Sequence, residues 1–433
     1  MASEEESKID KSALDVPKGW GIRRLDEVAS VIDPWPSHRA PKIFKNGYPY
    51  VGIGDISENG EIEFEKTRKV GESVVLEQES NMLFDDRYIG LGKVGTVGKV
   101  VWVKSKPFRY ALSATMVLIK PTSKINKNFL YYIFKSPNFQ GQISRFMTGT
   151  TRPTIGILTL RTLEIPVPSL EEQLSISKIL SDLDAKIELN QKMNKTLEAI
   201  AQAIFKHWFI DFEFPNEEGK PYKSSGGEMV DSELGEIPNG WEVKKITEIG
   251  RLKNGINYTR DEKGDEEFYI VNVRDISKSK FIIKDDLNVI KFDSTKCKDY
   301  LLNQNDIIIA RSASPGESSL ILGNIDNVIH SGFSIRYRLS NPNFKWYVYL
   351  LLQHSKNILF RYSIGTALKS LNQTAVGNMS IIMPSVDVLR KFNSIDIINK
   401  IMSNLLESKA LLNIRDLLLP KLIMGKIRVP LEE

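Results

Sequence analysis

Three glycines in this sequence have the spacing of a chemical site. Gly90, Gly92 and Gly95 match G-x-G-x-x-G, the loop with which dinucleotide-binding proteins hold a pyrophosphate at a helix N-terminus. That chemistry requires a helix directly after the glycines. Here the apolar run Lys99–Val103 follows and is typical of a strand, so the sequence predicts a glycine-rich hairpin in place of a nucleotide site.

Two tetrapeptides come close to a catalytic motif of DNA methyltransferases. Ser136–Phe139 and Asn341–Phe344 resemble the N-P-P-F motif of enzymes that methylate amino groups, but Asn replaces Pro at the third position. Neither follows a glycine-rich AdoMet loop, and we interpret both as turns at helical segments. The histidines are scattered and lack metal-ligand spacing; they are His38, His207, His330 and His354. The sequence therefore predicts no catalytic residue and no metal site.

Length and composition are those of an ordinary globular protein. The chain has 433 residues, 41% hydrophobic and 26% charged, which allows two domains of about 150 residues with connecting structure. The single cysteine, Cys297, excludes a disulfide framework and cysteine-rich zinc modules. The first residues are acidic, unlike a signal peptide, and no apolar run approaches the roughly 18 residues of a membrane span. We expect a soluble cytoplasmic protein.

Positive charge is concentrated in two blocks of the chain. Lys and Arg exceed Asp and Glu by eight over residues 16–168 and by five over residues 237–384. Acidic residues are in excess by three over residues 169–215 and by four over residues 216–236. Two basic blocks fit binding to a phosphate backbone, although two ordinary basic domains would give the same charge.

The chain is a tandem repeat. Segments of the first half recur in the same order in the second half, at shifts of 216 to 221 residues. Chance matches would not stay collinear, so the sequence indicates a duplication. The matched pairs are Val16–Trp20 with Ile237–Trp241, Asp55–Ser57 with Asp275–Ser277, Gly149–Thr150 with Gly365–Thr366, and Pro168–Ser169 with Pro384–Ser385.

Each copy is predicted to begin with short strands and helices and to end in one long helix. The first long helix should cover residues 170 to about 207, and the second should follow Pro384–Ser385 until Pro420 ends or kinks it. Apolar residues repeat along both at spacings of three and four, as in a coiled-coil seam, so the two helices can bury their stripes against each other. Asn190 and Asn194 interrupt the first stripe and either fix the register of the pair or face solvent.

The predicted fold class is α+β, with two domains of mixed helix and strand separated by two long antiparallel helices in a pseudo-twofold tandem repeat. The acidic stretch Asn216–Glu236 is predicted to link the two repeats. The predicted boundaries are an N-terminal tail at 1–15, a first α+β domain at 16–168, a helical spacer at 169–214, a linker at 215–236, a second α+β domain at 237–384 and a second helical spacer at 385–433.

Five segments of the chain form a characteristic set of motifs. With these motifs, and with two copies that cover essentially the whole chain, the sequence resembles the DNA-specificity subunits of Type I restriction-modification enzymes. The second copy departs from the family pattern at Met383–Asp387, where the Glu-Gln pair is missing. The five segments are Val16–Trp20, Gly149–Pro153, Ile165–Gln173, Ala203–Phe212 and Arg415–Gly425.

The resemblance implies a function for each part of the chain. In this family each α+β domain is a target-recognition domain that reads one half of a split sequence in double-stranded DNA. The two helices form a spacer that sets the gap between the half-sites and docks two methyltransferase subunits, and restriction subunits complete the complex. The family member itself is not an enzyme, and AdoMet, ATP and Mg²⁺ are bound by the partner subunits. Two alternatives stay open, a duplicated protein-interaction scaffold and a self-contained DNA methyltransferase.

Candidate DNA contacts are turn and loop residues with basic or hydroxyl side chains, because Arg can donate two hydrogen bonds to guanine and Lys more often holds phosphate. They are Arg87, Tyr88, Lys93, Thr150, Thr151 and Arg152 in the first copy, and Arg311, Ser312, Ser314, Thr366 and Lys369 in the second. Candidate docking residues are large apolar groups at helix ends, although packing onto their own domains is an equal alternative. They are Phe205, Trp208, Phe209, Phe212, Leu417, Leu418 and Leu422.

Overall fold

The structure is a computed structural model of the 433-residue chain. Two predicted DNA contacts, Thr366 and Lys369, lie outside the residues that it describes. Along the described part of the chain, no helix combines the length and apolarity that a membrane crossing requires. The described residues are 15–35, 39–57, 60–82, 87–104, 108–259, 262–363 and 370–430.

The chain divides into two compact units, and each unit contains one α+β domain. The first unit comprises the described residues up to Asn190 together with those from Leu406 onward, and the second comprises Gln191–Leu405. These boundaries differ from the predicted ones because each long helix contributes residues to both units.

The first α+β domain mixes short strands and short helices, as the sequence predicts. Its longest strand is the apolar run Met116–Pro121, and Asn126 begins the following helix by accepting hydrogen bonds from the N–H groups of Asn128 and Phe129. Its elements are β1 (Gly21–Arg24), α1 (Leu25–Val28), β2 (Ala29–Ile32), β3 (Ile43–Phe44), β4 (Tyr48–Val51), β5 (Arg68–Val70), α2 (Glu72–Asn81), β6 (Ile89–Gly92), β7 (Val100–Trp102), β8 (Ala111–Leu112), β9 (Met116–Pro121), α3 (Lys127–Lys135), α4 (Pro137–Phe146), α5 (Ile157–Thr162) and β10 (Glu164–Val167).

Two sheets form the frame of this domain. One sheet is antiparallel with strand order β2–β9–β6–β7, and the other has the order β3–β5–β4–β8, in which β4 and β8 run parallel. Strand β1 pairs with β10, so that the beginning of the domain is fastened to its end. The hairpin β6–β7 contains the glycine motif, which confirms the prediction of a glycine-rich hairpin.

The first long helix follows this domain directly, and the second domain comes after it. The helix is α6 (Leu170–Phe205), and a π-helical turn at Lys206–Ile210 continues it. The elements of the second domain are β11 (Met229–Ser232), β12 (Gly235–Pro238), β13 (Glu242–Lys245), α7 (Ile246–Ile249), β14 (Gly250–Asn254), β15 (Glu266–Val271), α8 (Val273–Lys278), β16 (Phe281–Ile282), β17 (Asn288–Phe292), α9 (Ser294–Cys297), β18 (Ile307–Ala310), β19 (Ser318–Ile321), β20 (Val328–His330), β21 (Ser334–Leu339), α10 (Lys345–His354), α11 (Lys356–Arg361), α12 (Gln373–Gly377) and β22 (Ser380–Met383).

The second domain repeats the topology of the first. Strands β14–β21–β18–β19 take the order of β2–β9–β6–β7, with β16 added at one edge. Strands β17–β15–β20 correspond to β5–β4–β8, and the pair β13–β22 corresponds to β1–β10. Because the pairing recurs in the strands β2, β9 and β6 and in β14, β21 and β18, residues of these strands can be matched between the two domains.

The predicted linker is folded. Strands β11 and β12 form an antiparallel hairpin within it, and Phe214 stacks on Tyr222 and Trp241 with ring centroids 4.5 and 5.0 Å apart. The segment Asn216–Glu236, which lies between the two repeats, thus contains a folded hairpin. Its own Tyr222 and the flanking residues Phe214 and Trp241 form the aromatic contacts that fix this segment to the second unit.

The second long helical region consists of two helices, and Pro420 does not end it. The first is α13 (Val386–Asn393), which Ser385 begins by accepting a hydrogen bond from the N–H of Val388. The second is α14 (Ile397–Ile423), which continues beyond Pro420. The turn around Pro420 holds because its neighbours Leu419, Leu422 and Ile423 are buried in the apolar core of the first unit, and this packing compensates for the missing hydrogen bond.

Helices α6 and α14 pair antiparallel within each unit. In the first unit, Asp184 forms an ion pair with Arg415 at 2.7 Å, and six residues further along α6 Asn190 donates a hydrogen bond to Glu407 at 2.7 Å. In the second unit, Asn404 donates a hydrogen bond to Asn194 at 2.8 Å. As the residue numbers rise along α6, the numbers of their partners in α14 fall. This confirms the predicted antiparallel arrangement.

Both asparagines of the predicted seam are buried between the helices. Asn190 is 0% and Asn194 6% exposed, so the alternative in which they face solvent is wrong. Asn194 is held on both sides, because it also donates to the carbonyl oxygen of Ile401 at 3.3 Å. Polar groups at such positions favour one register of a helix pair over the others.

We expect Asn404→Ala to lower the free energy of unfolding by about 1–3 kcal/mol, because it removes a buried donor from the amide oxygen of Asn194. The double replacement Asn194→Leu with Asn404→Leu removes the whole polar pair and is expected to recover most of that loss. Chemical denaturation of the full chain measures both. A double variant as unstable as the single one would contradict a paired role.

Candidate nucleic-acid interface

In the first domain, two loops meet at the end of strand β6. The residues after β6 turn sharply, since the N–H of Gly98 donates to the carbonyl of Gly92 at 3.0 Å. Gly98 has a φ of +82°, and a Cβ there would lie 2.4 Å from Oε1 of Gln140, so the turn requires glycine. The segment Thr148–Thr154 joins this turn through backbone hydrogen bonds, including Gly95 N–H to Pro153 O at 2.9 Å.

The second of these loops carries three predicted DNA contacts. Thr148 and Thr154 exchange backbone hydrogen bonds of 2.9 and 2.8 Å, and Gly149 has a φ of +82°, so Thr150, Thr151 and Arg152 form the tip of a tight loop. All three tip residues are exposed. Their hydroxyl and guanidinium groups are therefore available as hydrogen-bond donors on the surface.

Lys93 is part of the same region but does not face solvent. It is 3% exposed, and its Nζ lies 2.6 Å from Oδ2 of Asp33, whose side chain is 12% exposed. A buried ammonium held by a carboxylate is a structural ion pair, and a contact with DNA would require that pair to break. We therefore leave Lys93 out of the proposed interface.

Arg87 and Tyr88 lie elsewhere. They precede β6, whereas the turn with Lys93 follows it, so they lie at the opposite end of the strand. Arg87 is exposed, but Tyr88 is 4% exposed and packs in an apolar cluster with the ammonium of Lys120 5.9 Å from its ring centroid. The structure therefore does not bring these two residues together with the loop at Thr150.

The second domain builds the same turn after strand β18. Arg311 occupies the position of Lys93, because its N–H donates to Phe333 O at 2.9 Å just as the N–H of Lys93 donates to Thr115 O at 2.9 Å. Gly316, with a φ of +87°, closes the turn as Gly98 does. Ser312 and Ser314 lie in this turn and are half-buried.

One charge of the first-domain turn has no counterpart in the second. Asp33 directly follows β2, and the strand pairing places Asn254 at the equivalent position, the end of β14. The amide oxygen of Asn254 and Nε of Arg311 are both buried and have no hydrogen-bond partner among the described residues. Neither Asp33 nor Asn254 was among the predicted site residues. The shift of 221 residues that pairs Trp20 with Trp241 also pairs Asp33 with Asn254, so the repeat itself would have found them.

His330 lies close to this turn along the chain but is not a titrating group at neutral pH. It is fully buried, and its Nδ1 is 3.1 Å from the hydroxyl of Ser334. Burial lowers the pKa of His330 to about 3, and the positive charge of Arg336 adds to the effect. The imidazole is therefore neutral.

The other chemical motifs of the sequence are structural. Ser136 accepts a hydrogen bond from the N–H of Phe139 and begins α4, and Asn341 accepts one from the N–H of Asn343 just before α10, so both tetrapeptides begin helical turns as interpreted. Within the described residues, no group of three or more His, Cys, Asp or Glu side chains is placed to hold a metal ion.

Most of the predicted docking residues pack onto a domain. Phe205, Phe209 and Phe212 are 1%, 2% and 9% exposed and belong to the core of the second unit. Leu422 is 2% exposed in the core of the first unit. For these four, the alternative of packing onto the domains is what the structure shows. Trp208 and Leu418 are half-buried, and Leu417 is 65% exposed.

Comparison with known proteins identifies the duplicated arrangement. The family model described as "Type I restriction modification DNA specificity domain" matches residues 17–199 and again residues 238–413, one match for each repeat. The chain belongs to the DNA-specificity subunits of Type I restriction-modification systems. Apart from the hairpin β11–β12, both α+β domains and most of both long helices fall within the two matches.

Other specificity subunits are similar over three quarters of the chain or more. The Type I restriction enzyme MjaIX specificity subunit of Methanocaldococcus jannaschii is 30% identical over 428 residues, covering 96% of this chain and 95% of the relative. The HindI specificity subunit of Haemophilus influenzae is 26% identical, covering 76% and 84%. The crystal structure of the S subunit of a Type I restriction-modification system from M. genitalium has the same fold, with a TM-score of 0.55, 16% identity and coverage of 95% and 98%.

Proposed function

We propose that this specificity subunit reads a split DNA target, with one half-site for each α+β domain. The helix pair α6–α14 sets the gap between the half-sites and docks two methyltransferase subunits, and restriction subunits join the complete complex. The chain itself performs no chemistry. AdoMet is held by the methyltransferase subunits, and the ATP and Mg²⁺ used in cleavage are bound by the partner subunits.

One observation carries this proposal. The two domains repeat the same turn after β6 and after β18, with a basic residue at the same position and the same backbone hydrogen bonds. Duplicated modules that present equivalent loops are suited to two half-sites, in the way that dimeric DNA-binding proteins read paired half-sites. The positive charge of both domains favours association with the phosphate backbone.

For the docking surface we favour the exposed parts of the long helices. Leu417 is the most exposed of the predicted docking residues, and Leu406 and Ile414 on the same helix are 44% and 46% exposed. Apolar side chains that stay exposed on a paired helix are available to a partner helix. Trp208 and Leu418, which are half-buried, can extend this surface.

The proposal is tested by producing the chain together with its methyltransferase subunit and mapping methylated bases by single-molecule sequencing of the host genome. We expect a split motif with a fixed gap. A single continuous motif would mean that one domain alone reads sequence. Complete absence of methylation, with an intact complex, would favour the protein-interaction scaffold.

Arg152→Ala is expected to weaken DNA binding by the assembled complex by about 1–3 kcal/mol if Arg152 contacts a base, because a bidentate contact of Arg with guanine has about that value. Competition binding with cognate and substituted duplexes measures the loss. The matched control within the same domain is Arg161→Ala. Arg161 is not a predicted DNA contact, and its guanidinium donates a hydrogen bond to the carbonyl oxygen of Val31. An unchanged affinity for DNA would show that Arg152 is not part of the interface.

A further inference from the structure

The two target-recognition domains differ in charge at one equivalent pair of positions. In the first domain Lys93 is neutralised by Asp33 at 2.6 Å. In the second domain Arg311 replaces the lysine and Asn254 replaces the aspartate. Both domains therefore have a basic residue at this position, but the carboxylate beside it in the first domain is an amide in the second.

Arg311 keeps most of its donors uncommitted. Among the described residues its guanidinium makes one hydrogen bond, from Nη1 to Gly332 O at the long distance of 3.5 Å, and no ion pair. Its Nε is buried without an acceptor. The acid nearest along the turn, Glu317, is paired with Lys356 at 2.7 Å. A guanidinium has five N–H donors, and one with so few of them bonded can bind a ligand that offers two adjacent acceptors.

The surroundings of Arg311 also differ from those of Lys93. The backbone N–H of Arg311 pairs with Phe333, whose side chain is 62% exposed, whereas Thr115 at the corresponding position of the first domain is half-buried. Asn254, beside strand β21, leaves its amide oxygen buried without a partner. The second domain thus combines, after β18 and before β21, a half-buried cation that has no ion pair among the described residues with an exposed aromatic ring.

We propose that Arg311 donates the principal hydrogen bonds of the second domain to DNA, to the O6 and N7 atoms of a guanine or to a backbone phosphate, and that the ion pair with Asp33 withdraws Lys93 of the first domain from such a contact. This inference rests on the proposed function. The duplicated domains would then read different half-sites partly because one has a carboxylate where the other has an amide.

The experiment uses the specificity subunit assembled with its methyltransferase subunit. Arg311→Ala removes the donor, and Asn254→Asp changes one amide to a carboxylate of the same size, which should capture Arg311 as Asp33 captures Lys93. The matched control is the double variant Lys93→Met with Asp33→Asn, which removes the first-domain pair without leaving a buried charge. DNA affinity, the methylated motif and thermal unfolding are measured for each complex.

We expect Arg311→Ala and Asn254→Asp each to weaken DNA binding roughly 10- to 100-fold, and the control to leave it unchanged. If the acceptor is guanine, the loss is confined to one position of one half-site, where discrimination relaxes. If the acceptor is a phosphate, binding to all sequences weakens equally, and the slope of log affinity against log salt concentration becomes less negative by about 0.9.

Two results would overturn the inference. One is that both second-domain variants unfold at the wild-type temperature and keep the split motif, the DNA affinity and the salt dependence unchanged. The other is an equal loss of affinity in the first-domain control. The wild-type complex is measured first, and a complex that methylates no split motif would instead overturn the proposed function.

Discussion

Phe209→Ala is expected to lower the free energy of unfolding of the second unit by about 3–5 kcal/mol, the range for a large aromatic side chain removed from a well-packed core. Its ring lies 4.8 Å from that of Tyr347 and 4.9 Å from that of Phe392, in an edge-to-face arrangement with both. The rings of Phe205 and Trp241 are further neighbours at 5.4 and 6.0 Å. Few nearby groups could relax into the cavity without breaking these contacts.

Leu417→Ala is the matched control, because Leu417 is a predicted docking residue that is 65% exposed. Its replacement should change the free energy of unfolding by less than about 0.5 kcal/mol. Chemical denaturation of the full chain compares the two variants, and co-purification with the methyltransferase subunit reports docking. We expect Phe209→Ala to lose stability and Leu417→Ala to lose only partner binding. A Phe209→Ala chain with wild-type stability would show that this ring is not a core element.

The tandem organisation was predictable because it depends on the order of motifs, and order survives divergence. The two copies of Pro-x-Gly-Trp and of the Asp-Ile-Ser segment aligned the halves before any strand was assigned. The topology then repeats strand by strand, including the parallel pairs β4–β8 and β15–β20. The helix pair was predictable for a similar reason, since the apolar repeat of α6 extends over many turns.

The roles of individual side chains were less predictable, because they depend on partners distant in sequence. Lys93 has the appearance of a surface lysine until Asp33, 60 residues earlier, is placed beside it. Phe205 and Phe209 have the appearance of a free helix end until Tyr347 and Phe392 are packed against them. Local composition indicates the type of element, whereas the burial of one side chain is decided by tertiary contacts.

Deleting residues 191–194 together with residues 403–406 is expected to shorten the gap between the recognised half-sites by roughly two base pairs. Four residues of helix rise about 6 Å, and successive bases of a DNA strand are about 3.4 Å apart. The two deleted segments face each other, because Asn190 contacts Glu407 on one side of them and Asn194 contacts Asn404 within them. Sequencing of methylated sites measures the gap directly. An active complex with the original gap would contradict a ruler role for the helices.

A deletion of four residues changes the length of each helix while the same side of the helix stays against its partner. Four residues turn an α-helix by about 400°, which is one full turn and about 40° more, so the apolar stripes of both helices stay close to their original faces. Deleting only residues 191–194 shortens one helix and moves its remaining seam residues one turn past their partners, so we expect that variant to lose assembly with the methyltransferase subunit. Deleting two residues from each helix turns the stripes by about 200° and should also abolish assembly. A shorter gap in the four-residue variant alone would therefore be caused by length, since only that variant preserves the seam.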